Sequence, residues 1–292
     1  MRILIFGCTG MLGRALMKEA FSRSYTVFGA SRSGSDVIVD FEDMESIIRA
    51  VDATSPDIII NAAALVNLME CERDPGKAYI VNARPMALLA KLATERNIYV
   101  IQISTDHYYS GDGDMLHDET YPVQFNNEYS RSKFVGEAFT LTTPKSLVVR
   151  TNIVGFRGDN RSQTFTEWVI DNLENQRKMT LFYDFYTSSI TVSQLSHALF
   201  DMIEKKNHYG VVNIASRGSY SKKSFIEHLA QRFGFTIVQP EYGSVHENST
   251  VPRSESLGLD VSKAEEILCY SMPDLEQVID QLYIDYQRGF NT

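Results

Sequence analysis

The feature that most constrains the fold is the alternation of short apolar runs with helical patterns through the first 150 residues. Several of the runs are continuous, which predicts strands whose two faces are both covered. The predicted strands are 3–6, 26–30, 37–39, 58–61, 99–104 and 147–150, and the predicted helices are 11–20, 43–53, 75–96 and 127–141. Strands and helices that alternate in this way form a parallel sheet with helices on both faces.

The second half of the chain is less regular. Helices are predicted at 162–176, 193–205, 221–233 and 275–286, with a strand at 211–215. We therefore predict an α/β chain with a Rossmann-like, doubly wound parallel sheet and a smaller, mixed α/β part toward the C-terminus. The predicted domains are 1–150, with a return segment near 188–215, and 151–292.

Composition narrows the class of protein. The net charge of -9 disfavours nucleic-acid and anionic membrane partners, which prefer a basic face. Three widely spaced cysteines without a CxxC pattern are typical of a reducing compartment. No apolar stretch approaches the roughly 20 residues of a membrane span. We therefore predict a cytoplasmic protein. We also predict that it has no metal site, because its histidines lack metal-ligand spacing. A homo-oligomer remains open.

A glycine-rich segment, GCTGMLG at 7–13, follows the first predicted strand and begins the first helix. Glycines at such a turn allow a pyrophosphate to approach backbone N–H groups at the positive end of the helix dipole. The spacing is GxxGxxG, whereas many dehydrogenases have GxGxxG. The segment predicts a dinucleotide site formed by Gly7, Thr9, Gly10, Met11, Leu12 and Gly13.

The residues after the second and third strands bear on cofactor choice. Arg32 occupies the position where NAD-specific sites place an acidic residue, and arginine accommodates a 2′-phosphate. NADPH is therefore favoured, while NADH remains possible. Asp40, followed by Phe41, is placed to accept a hydrogen bond from the adenine amino group.

The strongest chemical signal combines Ser104-Thr105, at the end of a predicted strand, with Tyr129 and Lys133 on a downstream helix. Residues four apart share one face of a helix. An ammonium beside a phenol stabilises the phenolate and lowers its pKa, which makes tyrosine a usable proton donor near neutral pH. We predict Thr105, Tyr129 and Lys133 as catalytic residues, with Thr105 bonded to the substrate oxygen.

These segments resemble the extended short-chain dehydrogenase/reductases, most closely the dTDP-4-dehydrorhamnose reductase branch. The resemblance covers nearly the whole chain and includes GCTGMLG, NAAA at 61–64, CERDP with VNA at 71–83, ISTD at 103–106, YSRSKFVGE at 129–137, VVRTNIVG at 148–155 and PRSESLGLDVSKAEEIL at 252–268. It implies NAD(P)H in the first part of the chain and a nucleotide-activated sugar bound with the help of the second. The implied reaction is reduction of a 4-keto group on a deoxysugar nucleotide.

The resemblance also implies individual roles. Tyr129 donates the proton, and Lys133 binds the nicotinamide ribose and tunes Tyr129. Further cofactor residues are Ala62, Ala63, Ala64, Asn82 and Ser104, and the diphosphate of the sugar nucleotide is assigned to Asn152 and Arg253.

Three departures from the family pattern leave the substrate open. His107 replaces a tyrosine in STDHYYSG, the aspartate expected after NAAA is missing from LVNLME, and Tyr186-Thr187-Ser188-Ser189 replaces a Gly-x-Pro-Thr stretch. A sugar-nucleotide epimerase of the same superfamily is one alternative, and a non-catalytic regulatory subunit that keeps the dinucleotide fold is another. A dehydratase is disfavoured because no glutamate follows Thr105-Asp106.

Overall fold

The computed structural model describes residues 1–158, 162–205, 208–247 and 251–289, and no helix in these ranges is long and apolar enough to cross a membrane. The chain divides into two compact units. Unit 1 contains Met1–Thr105, Phe125–Arg150 and Ser196–Val212. Unit 2 contains Asp106–Gln124, Thr151–Leu195 and Asn213–Thr292.

This division differs from the predicted domains in two segments. Residues 106–124, predicted as part of the first domain, belong to unit 2. Hydrogen bonds join the backbone of this segment to other parts of unit 2. The His117 N–H donates to the Gly258 carbonyl at 3.0 Å, and Asn213 Nδ2 donates to the His117 carbonyl at 3.0 Å. The segment that returns to unit 1 is 196–212, which is shorter than the predicted 188–215.

The elements follow one another in chain order. The first twelve are β1 (Arg2–Phe6), α1 (Met11–Ser22), β2 (Thr26–Ser31), β3 (Val37–Ile38), α2 (Met44–Thr54), β4 (Ile58–Asn61), α3 (Leu68–Arg73), α4 (Pro75–Asn82), α5 (Arg84–Arg96), β5 (Tyr99–Ile103), α6 (Glu128–Thr140) and β6 (Ser146–Arg150). The remaining ones are β7 (Ile153–Val154), α7 (Phe165–Glu174), β8 (Thr180–Phe182), β9 (Tyr186–Thr187), β10 (Ile190–Thr191), α8 (Val192–Lys205), β11 (Gly210–Asn213), β12 (Tyr220–Ser221), α9 (Lys222–Phe233), β13 (Glu241–Gly243), β14 (Ser256–Leu257), α10 (Ser262–Leu268) and α11 (Leu275–Gln287).

The central sheet has seven strands in the order β11-β6-β5-β4-β1-β2-β3. The pairs β1–β2, β1–β4, β2–β3, β4–β5 and β5–β6 are parallel. The order reverses at β1, so β1 and β4 form the switch point where open α/β sheets bind ligands at the carboxyl ends of their strands. The predicted Rossmann-like α/β class is confirmed.

The helix predicted over 75–96 is two helices in the structure. α4 ends at Asn82 and α5 begins at Arg84, with Pro85 in the first turn of α5. Proline has no N–H and clashes with the preceding turn, so it fits the start of a helix but not its interior. The short helix α3, which has no counterpart in the predicted elements, begins at the N-cap Asn67, whose side chain accepts the Glu70 N–H.

Unit 2 is built from short strands and helices around its own apolar core. β7 pairs with β10, β9 with β12 and β14, and β8 with β13. The core cluster includes Val169 and Leu173 of α7, Phe225 and Leu229 of α9, and Leu282 of α11. The predicted mixed α/β part toward the C-terminus therefore has the elements expected of it.

Candidate active site

The loop after β1 has a conformation that requires glycine at two positions. Gly7 has a φ of 78°, and a Cβ there would lie 2.7 Å from the backbone N of Ala63. A Cβ on Gly13 would lie 2.0 Å from the Gly7 carbonyl oxygen, so the first turn of α1 packs directly on the loop. The N-cap, Gly10, has no side chain to cap the helix, and the first turn contains no acidic residue. The N–H groups at this helix start therefore fit a phosphate anion.

Arg32 lies in the exposed turn that follows β2. The Ser31 N–H donates to Ser35 Oγ at 3.0 Å, and Ser31 Oγ donates to the Ser33 carbonyl at 2.6 Å. These two bonds fix the backbone of the turn around Arg32. An exposed guanidinium at the end of the second strand fits the 2′-phosphate of NADP(H).

The segment after β3 is used in part by the protein itself. Asp40 Oδ1 accepts the Glu42 N–H at 2.9 Å, which forms a local turn. The Phe41 side chain is buried in the core of unit 1, where its ring centroid lies 5.5 Å from that of Phe6. The structure thus gives the Phe41 side chain a packing role, and Asp40 remains exposed.

Asn82 anchors the segment that follows β4. This segment contains three predicted cofactor residues, which are half-buried: Ala62, Ala63 and Ala64. Asn82 Oδ1 accepts the Leu65 N–H at 2.8 Å, while its Nδ2 donates to the Leu65 carbonyl at 3.1 Å and to Ser132 Oγ at 2.9 Å. Asn82 therefore ties the backbone after β4 to α6, and its amide bonds are made to protein groups.

Tyr129 and Lys133 lie one turn apart in α6. The helix begins with a capping box, in which Asn127 Oδ1 accepts a hydrogen bond from the Ser130 N–H and Ser130 Oγ accepts one from the Asn127 N–H. Tyr129 lies in a small apolar cluster with α3 and α4 residues. Lys133 is 2% exposed, and its Nζ donates to the Ile103 carbonyl at 2.7 Å. The end of β5 therefore fixes the ammonium on the helix face that carries Tyr129.

Burial lowers the pKa of Lys133 to about 8, an effect that the nearby Glu137 carboxylate opposes. The ammonium is thus mainly protonated at neutral pH. Thr105 is buried two residues beyond Ile103, at the same end of β5. The structure brings the three predicted catalytic residues to the carboxyl end of β5 and the start of α6 in unit 1.

A buried charged network lies beside this pair. Arg150 Nη2 donates to Glu137 Oε2 at 2.9 Å, and Ser104 Oγ donates to Glu137 Oε1 at 2.5 Å. Glu137 is 1% exposed and Arg150 is 4% exposed. This network links the ends of β5 and β6 to the helix that carries Tyr129, so it holds the catalytic elements in register. The Ser104 hydroxyl, predicted as a cofactor contact, takes part in it.

The predicted substrate residue Asn152 belongs to a polar network within unit 2. Asn152 Nδ2 donates to Asp106 Oδ2 at 2.7 Å, and Asn152 Oδ1 accepts from Ser189 Oγ at 2.7 Å. Ser188 Oγ accepts the Leu259 N–H at 2.9 Å. The serines that replace the usual family residues at 188–189 are therefore buried supports of this network.

The charges of two basic side chains in unit 2, Lys222 and Arg253, act on His107. Burial lowers the pKa of His107 to about 4, and the positive charges of Lys222 and Arg253 add to the effect. His107 is therefore neutral at pH 7, and Arg253 is exposed. The predicted residue Arg253 thus shares its surroundings with Lys222, which the sequence analysis did not identify.

Residues that sequence reasoning missed include Glu137, Arg150 and Lys222. Glu137 had a usable signal, because it lies four residues after Lys133 on the same helix face. Arg150 and Lys222 have no local pattern that marks them, since their importance depends on groups distant in the sequence. Only the packing of the chain brings these groups together.

The sequence of this chain is similar to a known protein family and to several reductases. Residues 1–288 match the family model described as the RmlD substrate binding domain. The chain is 27% identical over 304 residues to the "Probable low-salt glycan biosynthesis reductase Agl14" of Haloferax volcanii, covering 98% of this chain and 99% of that protein. It is 24% identical over 299 residues to the dTDP-4-dehydrorhamnose reductase of Escherichia coli K12, covering 97% and 98% of the two chains.

Among solved structures, the dTDP-4-dehydrorhamnose reductase of Bacillus anthracis in complex with NADP superposes with a TM-score of 0.87. The two sequences are 22% identical, and the match covers 97% of this chain and 99% of the other. At this identity the likeness concerns the fold. It agrees with the sheet order and helix arrangement described above.

Proposed function

The chain belongs to the RmlD substrate binding domain family, within the extended short-chain dehydrogenase/reductases, and on that premise we propose that it is an NADPH-dependent reductase of a 4-keto group on a nucleotide-activated deoxysugar. The observation that carries this proposal is the pair Tyr129 and Lys133 at the start of α6, with the Lys133 ammonium fixed on the Ile103 carbonyl. The uncapped start of α1 fits the cofactor pyrophosphate at the switch point of the same sheet.

Each step of the reaction has a residue suited to it. Thr105 orients the keto oxygen by a hydrogen bond, and Tyr129 donates a proton to that oxygen as negative charge develops on it. Lys133, mainly protonated at neutral pH, stabilises the resulting phenolate and holds the ribose of the cofactor. Bound NADPH supplies the hydride that the carbonyl carbon receives. The family resemblance assigns Asn152 and Arg253 to the diphosphate of the sugar nucleotide.

The test is reduction of a 4-keto sugar nucleotide by the purified protein. We expect that dTDP-4-keto-6-deoxy-L-mannose, or a related 4-keto sugar nucleotide in a panel, causes loss of NADPH absorbance. A folded protein that binds NADPH but oxidises it with none of these substrates would contradict the proposal. Stoichiometric NAD retained through purification would favour the epimerase, and cofactor binding without any turnover would favour a regulatory subunit.

Cofactor preference gives a second prediction, because Arg32 is the cation placed for the 2′-phosphate. We expect Arg32→Ala to raise the Kd of NADPH about 10-fold or more through loss of a charge-assisted hydrogen bond. The Kd of NADH should stay nearly constant, since NADH lacks that phosphate. Fluorescence titration with both cofactors measures the ratio.

Arg49→Ala is the matched control for Arg32→Ala. Arg49 is also exposed and lies on α2, where it pairs with Asp43 at 3.1 Å. Its removal changes the net charge equally and should leave the preference for NADPH intact. If Arg32→Ala changed the NADPH and NADH constants by the same factor, the assignment of the 2′-phosphate to Arg32 would be wrong.

We also place this reaction in the cytoplasm. The support is chemical: Cys8 and Cys71 are buried free thiols and Cys269 is an exposed one. An exposed free thiol is typical of a reducing compartment.

A further inference from the structure

We propose that Lys222 is a further substrate-binding residue, and that Lys222 and Arg253 together hold the diphosphate of a nucleoside-diphosphate sugar. This inference rests on the function proposed above. It adds to unit 2 a cation that neither the sequence motifs nor the family resemblance assigns.

The surroundings of Lys222 are mainly aromatic. Its Nζ lies 4.1 Å from the ring centroid of Phe165, 5.7 Å from that of Phe185 and 5.8 Å from that of Phe225. The Lys222 N–H donates to the Phe185 carbonyl at 2.8 Å, so the residue is fixed where α9 begins. The three rings attract the ammonium through cation–π interactions and hold the side chain in one place.

The rings leave the hydrogen-bonding capacity of the ammonium unused. A lysine ammonium carries three N–H donors and prefers oxygen acceptors. Within the described ranges, no hydrogen bond or ion pair of Lys222 Nζ to a protein oxygen is found. Burying a cation without hydrogen-bond acceptors raises the free energy of the folded protein unless a ligand or water supplies the acceptors. A diphosphate supplies both the acceptors and the opposite charge.

The neighbouring charges favour an anion at this place. The electric fields of Lys222 and Arg253 both reach His107, which is neutral at pH 7. Asp106 also interacts with Lys222, but its carboxylate accepts from Asn152 Nδ2 at 2.7 Å. The charges that act on His107 and Lys222 are therefore two cations and one carboxylate, and that carboxylate is already hydrogen-bonded. The resulting excess of positive charge suits a polyanion better than the neutral sugar ring.

The protonation of Lys222 gives an independent signature. Burial lowers the pKa of Lys222 to about 8, while the Asp106 carboxylate opposes the shift. Because the protonated form binds the diphosphate, affinity should fall as the pH rises above 8. His107, whose pKa is about 4, does not titrate in this range.

The experiment compares dTDP and UDP with thymidine and uridine, which lack the diphosphate. Calorimetric titration of the full chain with bound NADPH measures each Kd for the wild type, Lys222→Met and Lys223→Met. We expect Lys222→Met to raise the Kd of the preferred nucleoside diphosphate about 10- to 100-fold, as for loss of a charged hydrogen bond. The Kd of the nucleoside should change little. The fall in affinity between pH 7 and 9, about one unit either side of the Lys222 pKa, should disappear in Lys222→Met.

Lys223→Met is the matched control, because Lys223 is the adjacent residue and its Nζ lies 4.9 Å from the Tyr242 ring centroid. It should bind the nucleoside diphosphate as the wild type does. If Lys222→Met fails to fold, Lys222→Gln gives the same comparison with a polar side chain. Unchanged diphosphate affinity in a folded Lys222 variant overturns the inference alone, as does an equal loss of diphosphate and nucleoside affinity. A wild type that binds neither nucleoside diphosphate overturns the proposed function as well.

Discussion

Tyr129→Phe should lower kcat for keto-sugar reduction about 100-fold or more, the range expected when a positioned general acid is removed. The variant keeps the ring that packs beside α3 and α4 and loses only the hydroxyl that donates the proton. Lys133 is fixed by the Ile103 carbonyl rather than by Tyr129 alone, so the cofactor site should persist. We expect the Kd of NADPH to stay within about threefold of the wild type, because less than 1 kcal/mol of binding free energy should be lost.

Steady-state kinetics with the 4-keto sugar nucleotide that the wild type reduces, together with NADPH titration, measure this split between turnover and binding. Tyr25→Phe is a suitable control, since Tyr25 donates to Glu204 Oε1 at 2.9 Å on the surface of unit 1. It removes a tyrosine hydroxyl without touching α6 and should retain activity. Wild-type kcat in Tyr129→Phe would show that another group supplies the proton.

Much of the fold follows from local patterns in the sequence. Several strands of the central sheet are nearly continuous apolar runs, and β4 (Ile58–Asn61) and β6 (Ser146–Arg150) are buried along their whole length. Such runs predict the strands of a parallel sheet, because helices cover both faces of the sheet and both sides of each strand are buried. The resemblance to the extended short-chain dehydrogenase/reductases and the Rossmann-like class are both confirmed by the family match and the sheet order.

The structure departs from the expected elements and bounds where distant contacts decide it. Residues 106–124 join unit 2 through bonds to residues near 213 and 258, and no periodicity within the segment reveals those partners. The break between α4 and α5 can be predicted from the sequence, because Pro85 marks a helix start. The helical pattern on both sides of it concealed that signal.

The candidate site was predictable to the extent that its residues belong to short motifs. Tyr129 and Lys133 share one helix, so a spacing of four predicts their common face. Lys222 is distant in the sequence from His107 and Arg253, and its aromatic neighbours come from three separate elements or loops. A motif cannot encode that arrangement. The same is true of Arg150, whose partner Glu137 lies on the helix before it.

Glu137→Gln should lower the free energy of unfolding by about 3–5 kcal/mol, because it removes the partner of a buried cation. Arg150 Nη2 lies 2.9 Å from Glu137 Oε2, and both side chains are almost fully buried. The neutral amide keeps the shape of the carboxylate but leaves the guanidinium charge without compensation. Ser104 Oγ also loses a charged acceptor at 2.5 Å. Denaturant unfolding at neutral pH measures the loss.

Glu95→Gln provides the comparison, because Glu95 pairs with Lys91 at 3.9 Å on the exposed face of α5. The same chemical change there should cost less than about 1 kcal/mol. Replacing both buried partners, as in Glu137→Leu with Arg150→Met, should recover much of the lost stability, since no unpaired charge remains. If Glu137→Gln were as stable as Glu95→Gln, the network would not secure α6 to the sheet. The position of Tyr129 and Lys133 would then be secured by the capping box, the Ile103 carbonyl and the packing of Tyr129 against α3 and α4.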